Sequence, residues 1–165
     1  MTAEGAMLSE VQLDLVWREM LDAEWRSLYY ADLANAMTRR KQWIMGCILF
    51  LSSGAAVTAF AKQPAWLSSF LAMGVAGLTA YLISANLEGA LATLQKLHSD
   101  WARIQNDYER LWSHTFDDDA ELELGRIQER GRAASALGMT ASYQGKRVAK
   151  WQEWVDRLHS TSYAA

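Results

Sequence analysis

The residue types that could do chemistry in this chain are few and mostly badly spaced for it. The three histidines, His98, His114 and His159, have no metal-ligating neighbour four residues on, and there is no HExxH or CxxC pattern. No glycine-rich phosphate loop and no GxSxG elbow occur. The acidic run Asp117–Asp119 lacks the spaced ligands and distal glutamate of a calcium loop, and it reads as a solvated helix cap. Cys47, the one cysteine, lies in an apolar run, where a thiol packs and does not react. Catalytic residues and cofactors are therefore expected to be absent, and an enzyme is not expected. Two patterns remain. Arg126, Arg130 and Arg132, followed by Lys146, Arg147 and Lys150, could together hold an anionic ligand such as a nucleotide or oligonucleotide. The plainer reading is solvated charge paired with Glu121, Glu123, Glu129 and Glu153. The second pattern is a stripe of small and hydroxylated residues: Ser52, Ala56 and Ala59, then Ser68, Ala72, Thr79 and Asn86. The last four fall within about 40° of one another at about 100° per residue. Such a stripe serves helix packing in lipid, or the wall of a narrow pore formed by several copies.

The elements that carry this stripe dominate the chain. Residues 43–87 hold a single formal charge, Lys62, two residues before the only proline, Pro64. The flanking charge-free runs are 19 residues (43–61) and 25 residues (63–87) long. About 20 apolar residues cross a bilayer core of about 30 Å. The expectation is a transmembrane hairpin, residues 43–87, with spans 43–61 and 65–87 and a minimal loop, since proline cannot continue a helix. Arg39, Arg40 and Lys41 stand before the first span, so both termini are expected in the cytoplasm. Trp43 and Trp66 suit an interfacial aromatic belt. The first apolar run starts behind a long charged segment, which is not the place of a cleavable signal. A soluble bundle with 43–87 as its core hairpin would require a polar face that these runs do not have.

The remainder reads as cytoplasmic helices. Residues 1–42 form an amphipathic helix opened by a Ser9–Gln12 capping box, with Val16, Trp17, Met20, Trp25, Tyr29 and Leu33 among the residues of one face. From Met73 through Ala76, Ala80, Ile83, Leu87, Ala90, Leu94, Leu97, Trp101, Ile104 and Tyr108 to Leu111, apolar residues keep 3-4 spacing. This predicts one continuous helix, with 88–115 as a coiled-coil-like extension of the second span. Its seam, Leu87, Leu94, Leu97, Trp101, Ile104, Tyr108 and Leu111, is expected to pack on residues 10–41 and between copies. A tail, 116–165, holds helices at about 118–136 and 146–159 around a glycine-containing turn. The fold class expected is all-α: a membrane protein with a two-helix transmembrane hairpin and a cytoplasmic helical bundle. A net charge of −3 gives no global argument for nucleic acid.

The basic entrance 39–41, the paired runs with a minimal loop, and the long helix leading to a helical tail resemble the SLATT-type two-transmembrane effectors of bacterial conflict and anti-phage systems, such as Hailong- or CBASS-type membrane effectors. The resemblance implies a homo-oligomer, a tetramer being expected, in the bacterial inner membrane. It further implies a gated pore that depolarises the cell, controlled by a nucleotide or oligonucleotide signal from a partner nucleotidyltransferase. A non-conducting membrane scaffold that docks a soluble partner is the alternative.

Overall fold

The structure, a computed structural model, describes residues 8–60, 64–141 and 143–162, without the side chains of 55–60, 65, 161 and 162. Among the described residues the protein is all-helical: α1 (Glu10–Phe60), α2 (Ala65–Ser84), α3 (Leu87–Ser113), α4 (Ala120–Gly138) and α5 (Gly145–Ser162). They form two compact units, Met1–Asp32 with Thr93–Ala165, and Leu33–Ala92.

Helix α1 begins as its sequence requires. Ser9 Oγ accepts from the Gln12 amide at 3.3 Å and the Ser9 amide donates to Gln12 Oε1 at 2.8 Å, which satisfies two of the amides that a helix start leaves unpaired. The helix then runs 51 residues without the expected division between an amphipathic segment and a first span. Residues 38–45 contain no glycine, proline or turn signal, so nothing ends it there.

The expected continuous second helix, by contrast, is divided. α2 ends at Ser84, and α3 starts at Leu87. Asn86 between them has φ 43°, a left-handed conformation that asparagine tolerates better than other side-chain-bearing residues. Its amide folds back over Gly89, where a Cβ would lie 2.8 Å from Asn86 Nδ2. Any larger residue there would require the Asn86 side chain to move. The 3-4 pattern crosses this break, but burial does not. Met73 and Ile83 are about three-quarters exposed, whereas Leu94 to Leu111 are buried.

In the first unit the core joins Val16, Met20 and Ala23 of α1 to Trp101, Ile104, Tyr108 and Leu111 of α3 and to Leu124, Ile127 and Ala134 of α4. Large apolar surface removed from water drives this packing. The α3 seam is thus spent inside one chain. Leu94, Leu97, Trp101, Ile104, Tyr108 and Leu111 are all buried within the single chain. α5 closes the unit through buried Val148 and Val155 and through Asp32, which holds Arg147 Nη1 at 3.0 Å and accepts from Trp151 Nε1 at 3.4 Å.

Candidate functional site

In the second unit the two apolar helices lie side by side and antiparallel. A Cβ placed on Gly54 of α1 would meet Leu71 Cδ1 at 3.6 Å, and one on Gly74 of α2 would meet Leu51 Cδ1 at 3.3 Å. Each helix therefore offers a glycine to the other's leucine, a reciprocal close approach of the kind small residues permit. At the charged end, Arg40 donates to the Tyr81 hydroxyl and its guanidinium lies over the Tyr81 ring at 5.6 Å. Lys41 Nζ meets Glu88 Oε1 at 2.7 Å, and this hydrogen bond and charge lower the Glu88 pKa.

Away from this contact the unit is apolar and uncovered. Trp66, Phe70, Met73 and Ile83 of α2 and Trp43, Leu49 and Phe50 of α1 are each about two-thirds exposed or more. Among the described residues one helix is long and apolar enough to cross a membrane, Trp66–Ser84, 19 residues, and none of its apolar window is buried. The core helix of a soluble bundle would be mostly covered. Several hydroxyls of the two apolar helices bond to their own helix backbone, Ser84 to the Tyr81 carbonyl among them. Thr79 Oγ1 donates to the Val75 carbonyl at 2.8 Å, as Ser53 does to Leu49, and Ser52 to Ile48. A hydroxyl bonded to its own helix backbone can face an apolar medium without an orphan donor.

The stripe residues fall out as follows. Ser52, Ala72, Thr79 and Asn86 are exposed, and Ser68 is half-buried. The side chains of Ala56 and Ala59, and residues 61–63 where the loop is expected, lie outside what is described. Asn86 leaves the stripe, because it caps α3 and does not continue α2.

The six basic residues are not gathered into one site. Arg130 is bound to Asp107 of α3, and Arg147 to Asp32 of α1. Lys150 Nζ lies over the Trp151 ring at 4.5 Å. Arg132 lines a cavity of about 520 Å³ with Glu19, Asp22 and Arg26, while Arg130 lines another of about 450 Å³ with Lys96 and Arg103. Arg126 is exposed. The histidines make hydrogen-bond contacts: His98 Nδ1 is 3.1 Å from Ser27 Oγ, His159 Nε2 is 2.8 Å from Glu24, and the exposed His114 has Nδ1 near the Arg110 carbonyl. Among the described residues no group of three or more potential ligands could hold a metal ion.

Sequence reasoning missed Arg26. It donates to Asp22 at 2.6 Å and Ser135 at 3.2 Å, and stacks on the Trp101 ring at 4.7 Å. Its i,i+4 spacing from Asp22 was the available signal. Tyr108 beside it has its pKa raised, first by burial and then by Glu19 and Asp22. No family model, curated protein or solved structure matches this chain.

Proposed function

We propose that the chain is an oligomeric membrane effector that spans the bacterial inner membrane as a two-helix hairpin and opens a pore on a cytoplasmic signal. The observation that carries the reading is α2: 19 residues without a formal charge, none buried, with hydroxyls turned onto its own backbone. Such a helix is costly in water and at ease in lipid. The apolar stretch of α1 from Trp43 onward would be the second crossing, with Arg39–Lys41 on the cytoplasmic side. Because Leu94 to Leu111 are occupied within the chain, copies would meet through the uncovered face of α2, where Ala72, Ala76, Thr79 and Ala80 are exposed. A pore so built has no charged ring and would gate by dewetting. Control by a nucleotide or oligonucleotide from a partner nucleotidyltransferase belongs to the same reading and rests on the resemblance alone.

The test is membrane potential in bacteria expressing the chain, read with a voltage-sensitive dye, for wild type, Ser68→Leu and Thr79→Leu. Depolarisation that either substitution abolishes supports a pore walled by this face. A scaffold is favoured instead by the exposed Phe116, Met139 and Tyr143, which offer a soluble partner apolar anchors. Full membrane insertion with an unchanged potential, in the presence of the neighbouring genes, would support that role.

A further inference from the structure

The second unit contains a groove of about 800 Å³ lined by Arg39, Trp43, Gly46 and Phe50 of α1 and Leu78 of α2, among others. Trp43 and Phe50 are seven residues apart, on one face, and Gly46 lies between them. A Cβ at Gly46 would meet nothing within 4 Å, so this glycine is not required for helix packing, unlike Gly74. It leaves a notch between two aromatic rings that are about four-fifths exposed. Glycine in a helix interior is the less favourable choice by about 1 kcal/mol relative to alanine.

Charge completes the groove. Of the three entrance cations, Arg40 is bound to Tyr81 and Lys41 to Glu88, whereas Arg39 is exposed and has no ion-pair or hydrogen-bond partner among the described residues. From Arg39 to Phe50 the helix rises about 16 Å at about 1.5 Å per residue, the reach of most of a lipid acyl chain. An unpaired cation thus stands at the head of an apolar channel that runs along a span.

We propose that this groove binds one anionic glycerophospholipid, with its phosphate on Arg39 and an acyl chain laid past Trp43 and Gly46 towards Phe50. The inference rests on the membrane reading and deepens it. The chain gains no hydrophobic energy by leaving bulk lipid, so the headgroup charge must supply the selectivity.

The experiment places the full chain in nanodiscs of phosphatidylcholine with one-fifth phosphatidylglycerol and counts lipids retained by native mass spectrometry. Wild type should retain phosphatidylglycerol over its bulk share by about fivefold, the equivalent of about 1 kcal/mol for one cation facing anionic lipid. Arg39→Gln should bring the ratio to parity, and Arg40→Gln should keep most of the preference. Gly46→Leu, whose Cβ would meet nothing within 4 Å and whose side chain would fill the notch, should lose the retained lipid of both classes. Retention without headgroup preference in wild type, or a preference that survives Arg39→Gln, overturns the proposal and leaves the membrane reading standing. A chain that stays outside the nanodiscs overturns both.

Discussion

Leu97→Ala separates the two uses that the seam could have. Leu97 is 0% exposed on α3 and sits 4.0 Å from where a Gly138 Cβ would lie on α4. Withdrawing a fully buried leucine from water's reach is worth about 1.5–3 kcal/mol, and truncation to alanine costs about 2–5 kcal/mol once the cavity is included. The site has little room to collapse, because a Cβ built on Gly138 would also lie 2.6 Å from the Tyr30 hydroxyl, which marks how closely the helices approach there. The upper half of the range is therefore expected, about 4 kcal/mol. At about 2–4 °C per kcal/mol for a chain of this length, the thermal midpoint should fall by roughly 10 °C. Met73, in the same heptad register but 74% exposed on α2, provides the contrast: Met73→Ala should leave the midpoint within about 1 °C. The assay is circular dichroism against temperature in detergent micelles, with chemical cross-linking alongside. Leu97→Asp, which buries an unpaired charge at a cost of several kcal/mol, should unfold the bundle outright. If Leu97→Ala kept the wild-type midpoint while cross-linked oligomers disappeared, the seam would lie between copies, and the core described above would be wrong.

Four further outcomes are expected. Gly138→Ala, whose Cβ would fall 2.6 Å from the Tyr30 hydroxyl, should destabilise the protein by about 1–3 kcal/mol in urea titration, although alanine is the better helix former. Gly74→Leu should force α1 and α2 apart and reduce disulfide cross-linking between cysteines placed at positions 54 and 71, whereas Gly77→Ala, whose Cβ meets nothing within 4 Å, should fold as wild type. Tyr30 and Tyr108 both have raised pKa values, chiefly from burial, so the folded chain holds their protons more tightly than the unfolded chain does. Their contribution is complete below about pH 10 and is lost as pH rises above it; Tyr108→Phe should flatten that alkaline loss in thermal scans. Gly89→Ala, which would press on the Asn86 amide, should shift the thermal midpoint down by a few degrees, and Asn86→Gly should be nearly neutral.

The helices themselves were legible because their signals are local. The Ser9–Gln12 capping box, the apolar runs and the glycine-containing turn near 138–145 each act through a few adjacent residues. The continuity of α1 across residues 38–45 could be read equally well, since nothing there stops a helix. What could not be read was partnership. Arg130 and Arg147 look like members of a basic cluster, yet each finds a carboxylate on another helix, Asp107 and Asp32, more than twenty residues away in sequence. Ser27 is buried because His98, seventy-one residues on, reaches it. Spacing along a chain fixes which residues share a face, but not what that face meets.

The divided seam is the sharper case, and its cause is a single backbone conformation. An apolar 3-4 pattern states only that a stripe exists. In water, burying the stripe is favourable in proportion to its area, so Leu94 to Leu111 turn inward. On the membrane reading proposed above, the same burial would gain almost nothing, and large side chains such as Met73 and Ile83 would face acyl chains at no cost. A straight helix through residues 73–111 would have to bury or expose both halves on one line. Asn86, at φ 43° with Gly89 cleared beneath its amide, ends one helix and starts another, so each half can answer its own surroundings. The first buried member of the stripe is Leu87, the first residue after the turn, which is where the change from an outward to an inward stripe should fall if Asn86 sets it. Substituting Asn86 with valine, which resists left-handed backbone, would therefore be expected to disturb both halves together: helix content should rise by a turn as α2 and α3 fuse, while the thermal midpoint of the bundle falls.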